Sequence, residues 1–168
     1  MFNESFANFV GARGSAWFFR YRGQPDAADE ADARWEDEKL MAHFWDTLYH
    51  AVDSAYKAHR QSAAARIAAR DTVYARARSQ LVYILGPQLR TIGPRVLEHV
   101  QLDNAALLAR RIYLTNLDDF DGVWLREGRD LRRTVKAIIV LAKSKPKDPF
   151  GAVHAWVAAH ALPPEAAP

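Results

Sequence analysis

With 168 residues, 49% of them hydrophobic, the chain is long enough to bury a core without a disulfide or a structural metal. It has no cysteine, which excludes a disulfide framework and any thiolate metal site, so a metal would need His, Asp, Glu or a residue on another chain. No apolar run approaches the length of a membrane span, and the formal charge of +3, with Arg supplying 17 of the 23 basic residues, motivates a test for a polyanion partner.

The predicted elements are helices throughout. Asn3 is placed to cap a first helix, Asn3 to Phe19, with Glu4 in its first turn, where an acid suits the helix dipole. Phe2 then lies outside the cap, while Phe6, Phe9 and Val10 recur at helical spacing and Gly11 and Gly14 weaken the middle. The stretch "RYRGQPDAADE" reads as an exposed polar connection broken by Gly23 and Pro25. A long second helix is expected from about Asp29 to Arg60, with Trp35, Met41, Phe44, Leu48, Val52 and Ala55 along one stripe and Glu36, Asp37, Lys39, Asp46 and Asp53 mostly opposite. A third helix fills "QSAAARIAARDTVYARARSQLVYIL" until Gly86, Pro87, Gly93 and Pro94 end it, and an irregular segment follows. Shorter helices fit Asn104 to Leu114, Leu117 to Arg126 and Asp130 to Lys143, with Gly128 as a stop and Asp130 as a cap. Asp148 and Pro149 open a last helix anchored by Trp156, and residues 161–168 read as a frayed tail. The expected fold is all-α: one helical domain over residues 1–160, built on a long hairpin of the second and third helices.

The opening "FNESFANFV" resembles the Asn-Glu-(Gly/Ser)-Phe-Ala-x-aromatic-apolar signature of gluzincin aminopeptidases, matching at Asn3, Glu4, Ser5, Phe6, Ala7, Phe9 and Val10. In that family the Glu is the third zinc ligand, after the two histidines of HExxH. The resemblance therefore implies that Glu4 is a metal ligand, and helical spacing puts Asn8 one turn on along the same face, placed to hydrogen-bond the ligand or its neighbour. Further along, "LDNAALLARRIYLTNLDDF" is similar to a segment of a bacterial zinc aminopeptidase family, Asn-Asn-Ala-x-Leu followed by a Tyr. It matches at Asn104, Ala105, Leu107 and Tyr113, with Asp103 in place of the first Asn, and the likeness spans residues 2 to 143. It implies an oxyanion hydrogen bond from Tyr113 and substrate binding by Asn104, with a peptide or aminoacyl substrate. Against these stand plainer readings: Tyr113 as a core ring with its hydroxyl at the surface, and Asn104 as an ordinary helix cap.

This sequence departs from the family in having no HExxH, and none of its six histidines, His43, His50, His59, His99, His154 and His160, forms a pair suited to one helical face. The expectation is that the chain is the C-terminal part of a metallopeptidase catalytic region, with Met1 falling inside the parent's site. Zinc belongs to the complete parent, this chain alone holds it weakly and is inactive, and the parent is an exported or envelope-associated bacterial protein. Truncation should then leave Phe2, Phe6, Phe9 and Val10 as an apolar patch around Glu4, open to self-association. Two other readings compete. One is a basic helical module binding nucleic acid or a protein through Arg66, Arg70, Arg76, Arg78, Arg132 and Arg133. The other is an oligomerising helical protein with an exposed Trp35, Phe44 and Leu48 face. Helical periodicity disfavours nucleic acid, because the third helix is ringed by Arg rather than striped.

Overall fold

The computed structural model describes residues 1–162, and over these it is all-α, with no strand. The helices are α1 (Phe2–Tyr21), α2 (Pro25–Ala58), α3 (Ala63–Ser79), α4 (Pro94–Glu98), α5 (Asn104–Tyr113), α6 (Leu117–Arg126), α7 (Leu131–Ser144) and α8 (Pro149–Ala159). From residue 163 onward the expected tail lies outside the described residues.

Local chemistry explains most boundaries. Ser62, Asp103, Asp130 and Asp148 each accept a backbone N–H in the first turn of the helix they precede, satisfying donors that would otherwise be orphaned. Several boundaries differ from the sequence reading, the segment read as irregular carries the short helix α4, and two of the differences have a plain physical cause. Asn3 is not a cap: the helix already begins at Phe2, and the Met1 carbonyl accepts the amides of Glu4 and Ser5. The second helix starts at Pro25, not Asp29, because proline's fixed φ suits a first helical turn, and Gly23, at φ 69°, makes the reversal within three residues. Gly11 and Gly14 do not interrupt α1. After α3 the chain widens into a π-helical stretch, Gln80–Leu85, and tightens into a 3-10 turn, Gly86–Gln88.

The described residues form two compact units. One comprises residues 1–32 with 115–162: α6, α7 and α8 pack on one another, and α1 lies against α6 and α7. Its core holds Phe9, Ala16, Leu117, Phe120, Val123, Ile138 and Val153. Gly122 permits the close α6–α8 approach, since a Cβ there would sit 2.8 Å from a Val157 methyl.

The other unit, residues 33–114, contains most of α2 with α3, α4 and α5. Met41, Trp45, Leu48 and Val52 of α2 pack with Ala77, Leu81, Leu97 and Leu107, and Tyr56, Val73 and Tyr74 flank them. The apolar stripe foreseen on the second helix is thus core. Trp35 and Leu48 are almost fully buried, so the exposed aromatic face of the oligomerising reading is not there. Buried Asp37 clamps the chain past the 3-10 turn, accepting the Arg90 amide (2.9 Å) and the Thr91 amide and hydroxyl (2.7 Å each).

Candidate functional site

Glu4 occupies the first turn of α1 with its side chain exposed. Helical geometry puts Ala7, Asn8, Gly11 and Ser15 on the same side of the helix as Glu4. Of these, Ala7, Gly11 and Ser15 are exposed, and nothing lies within 4 Å of where a Gly11 Cβ would be. Asn8 is half-buried one turn from Glu4. The face that carries the carboxylate is open and lined by small residues.

The opposite face fixes how α1 is turned. Ser5, fully buried, accepts the Thr115 amide on its Oγ at 3.2 Å, tying the helix to the chain just before α6. Phe9 is fully buried. Phe2 and Phe6 are half-buried, in a ring cluster with Phe120 and Phe150 at centroid distances of 5.0 to 6.1 Å. This corrects the expected apolar patch around Glu4, because α6 and α8 supply the rings that cover those phenylalanines. Two turns further, Arg13 grips Asp121 through Nε (2.9 Å) and Nη2 (2.7 Å) and Asp32 through Nη1 (2.8 Å), with its guanidinium 4.1 Å from the Trp124 ring. Asp32 is shared with Arg20. None of Arg13, Asp32 and Asp121 stood out in the sequence, since ionic partners 19 and 108 residues apart follow no local spacing.

Asn104 and Tyr113 belong to the other unit, at the two ends of α5. Asp103, not Asn104, caps the helix. The Asn104 side chain instead joins two tyrosines. Its Oδ1 accepts from the Tyr74 hydroxyl (2.8 Å) and its Nδ2 donates to the Tyr56 hydroxyl (2.9 Å). Burial, with Tyr56 and Asp103 nearby, pushes the Tyr74 phenol up to about 12, so it stays a hydrogen-bond donor throughout the physiological range. Beside Asn104 is a shallow hollow of about 360 Å³ lined by Arg70, Tyr74 and Asp103 among others. Tyr113 is half exposed. Of the arginines in the basic-module reading, Arg78 donates to the Leu97 and Val100 carbonyls and so serves the fold, while Arg70 pairs with its exposed neighbour Asp71 at 2.7 Å.

A hydrolytic zinc takes three protein ligands and leaves one position open. Glu4 offers one carboxylate, and the described residues contain no group of three His, Cys, Asp or Glu side chains placed to hold a metal. Three of the six histidines are engaged elsewhere: His154 with Asp119 (3.1 Å), and His99 and His160 with carbonyls of their own helices (2.7 Å each). Among the described residues, Glu4 thus stands as one of the three ligands such an ion takes.

Residues 1–150 match a protein family described as putative aminopeptidase. No match is found among curated proteins, and none among solved structures.

Proposed function

This chain belongs to the putative aminopeptidase family, and from that premise we propose that it is the helical part of a zinc aminopeptidase of gluzincin type, acting on peptide or aminoacyl substrates. In this reading Glu4 contributes one carboxylate to a metal whose histidine ligands, on an HExxH helix, come from outside these 168 residues, and the chain alone is inactive. The observation that supports it most is the asymmetry of α1. Ser5, Phe9 and Arg13 bind one side tightly, while the side bearing Glu4 is open and paved with Ala7 and Gly11, small enough to let a second helix approach closely. Asn8 is the hydrogen-bonding neighbour of the ligand. Tyr113 is the candidate oxyanion donor and Asn104 the candidate substrate contact, the latter held in place by Tyr56 and Tyr74.

The test is zinc calorimetry on the chain mixed with a helical peptide carrying HExxH, with hydrolysis of an aminoacyl-nitroanilide followed in parallel. The expected result is zinc affinity greater in the mixture than in either component and lowered by more than about tenfold in Glu4→Gln. Because Glu4 is exposed, that substitution should shift stability by no more than about 0.5 kcal/mol. Zinc affinity indifferent to Glu4→Gln, or turnover by the chain alone, would overturn the assignment.

A further inference from the structure

Charge is unevenly spent along this chain. Four of its six lysines, Lys136, Lys143, Lys145 and Lys147, fall within twelve residues, immediately after Arg129, Arg132 and Arg133, and the only acid from 129 to 147 is Asp130. The structure puts much of this cluster on one surface. In α7 the residues turned inward are Leu131, Thr134, Val135, Ile138, Leu141 and Ala142. The exposed ones, Ser144 apart, are Arg132, Arg133, Lys136, Ile139, Val140 and Lys143, an arc of roughly 120° along about 17 Å of helix. Midway along this cationic face, flanking Lys136 and Lys143, sit two aliphatic side chains, Val140 at 66% exposure and Ile139 at 39%. Little neutralises it: Asp130 reaches Arg133 only at 3.7 Å, Asp148 is taken by Lys145 at 2.8 Å, and Arg132, Lys136 and Lys143 make no ion pair among the described residues. At its N-terminal end the face runs into a depression of about 540 Å³ lined by Trp17, Gly128, Arg129, Asp130, Leu131 and Arg132. Trp17, more than half exposed, stacks there on the still more exposed Tyr21.

We infer that this face, the outer side of α7 with Trp17 at its end, docks on the surface of an anionic phospholipid bilayer. Cations spaced along a helix attract anionic headgroups, aliphatic side chains between them enter the acyl boundary, and exposed Trp and Tyr favour the interfacial layer. A nucleic-acid duplex would use the cations but has nothing apolar at backbone level to receive Ile139 and Val140, so the interleaving selects lipid. Among the described residues no helix is long and apolar enough to cross a membrane, and the contact proposed is a surface one.

Flotation of the intact chain with vesicles decides the matter, using pure phosphatidylcholine and a mixture with about one third phosphatidylglycerol. Binding to the anionic vesicles alone is expected. Lys136→Gln with Lys143→Gln should weaken it by about fivefold per charge, roughly twenty-five-fold together. Val140→Ser, which leaves the charge untouched, should weaken it by about fivefold. All three positions are exposed, so an unchanged helical circular-dichroism spectrum is the control. Equal binding to both vesicles, absence of binding, binding indifferent to Val140→Ser, or tighter binding to a short DNA duplex would each overturn the inference.

Discussion

Removing the carboxylate of Asp121 should loosen α1, and the size of the effect follows from what it leaves behind. Arg13 and Asp121 have side chains only 7% and 8% exposed and are joined by two hydrogen bonds in fork geometry. Asp121→Asn keeps the shape but turns an amide NH2 toward a guanidinium N–H and leaves a buried cation held mainly by Asp32. Breaking one side of a buried pair costs about 3–5 kcal/mol, and since Asp32 still compensates Arg13 in part, about 3 kcal/mol is expected. Arg13→Met should cost somewhat more, about 4 kcal/mol, because it also removes the contact with Trp124. Replacing both, as Arg13→Met with Asp121→Asn, removes both desolvated charges together and should cost less than the sum of the two, with a coupling of at least about 2 kcal/mol. Urea unfolding followed by tryptophan fluorescence measures these differences, and hydrogen exchange in α1 and α6 localises them. A loss under about 1 kcal/mol for Asp121→Asn, or strictly additive single costs, would refute the view that this pair sets the orientation of α1.

Two further perturbations probe the units separately. Burial alone would raise the Asp37 carboxyl, but hydrogen bonds from the amides of Arg90, Thr91 and Ile92 and the Thr91 hydroxyl outweigh it and hold the group below its ordinary 3.8. Its contribution is therefore full above pH 3.8 and lost as pH falls through the lower folded value. Asp37→Asn should cost about 2–3 kcal/mol at neutral pH and flatten the acid limb of a stability-against-pH curve; an unchanged limb would refute this. Gly122→Ala should push α6 and α8 apart, because the new methyl meets Val157 at 2.8 Å, costing about 1–3 kcal/mol with a matching fall in melting temperature; no fall would mean that Val157 simply rotates away.

Much of this protein is legible in its sequence because the relevant physics is local. Asp103, Asp130 and Asp148 announce helix starts through an oxygen three residues before an orphaned amide, and the stripe from Met41 to Val52 announces a buried face through its period. The likeness of "FNESFANFV" to an aminopeptidase motif was legible for a similar reason: a ligand helix carries its neighbours at fixed spacing, and the family match over residues 1–150 agrees with that likeness at the level of the family. Tertiary structure decided the rest, where the partner is far away in the chain. Phe2 and Phe6 read as surface because the rings that cover them, Phe120 and Phe150, come from helices more than a hundred residues later. Arg13 and Asp121 lie 108 residues apart, and Asp37 meets its donors 53 and 54 residues on, separations at which residue spacing carries no signal. The face of α7 falls between the two: its charges are plain in the sequence, but that Ile139 and Val140 turn outward with the lysines follows only from how α1, α6 and α8 take up the other side of the helix.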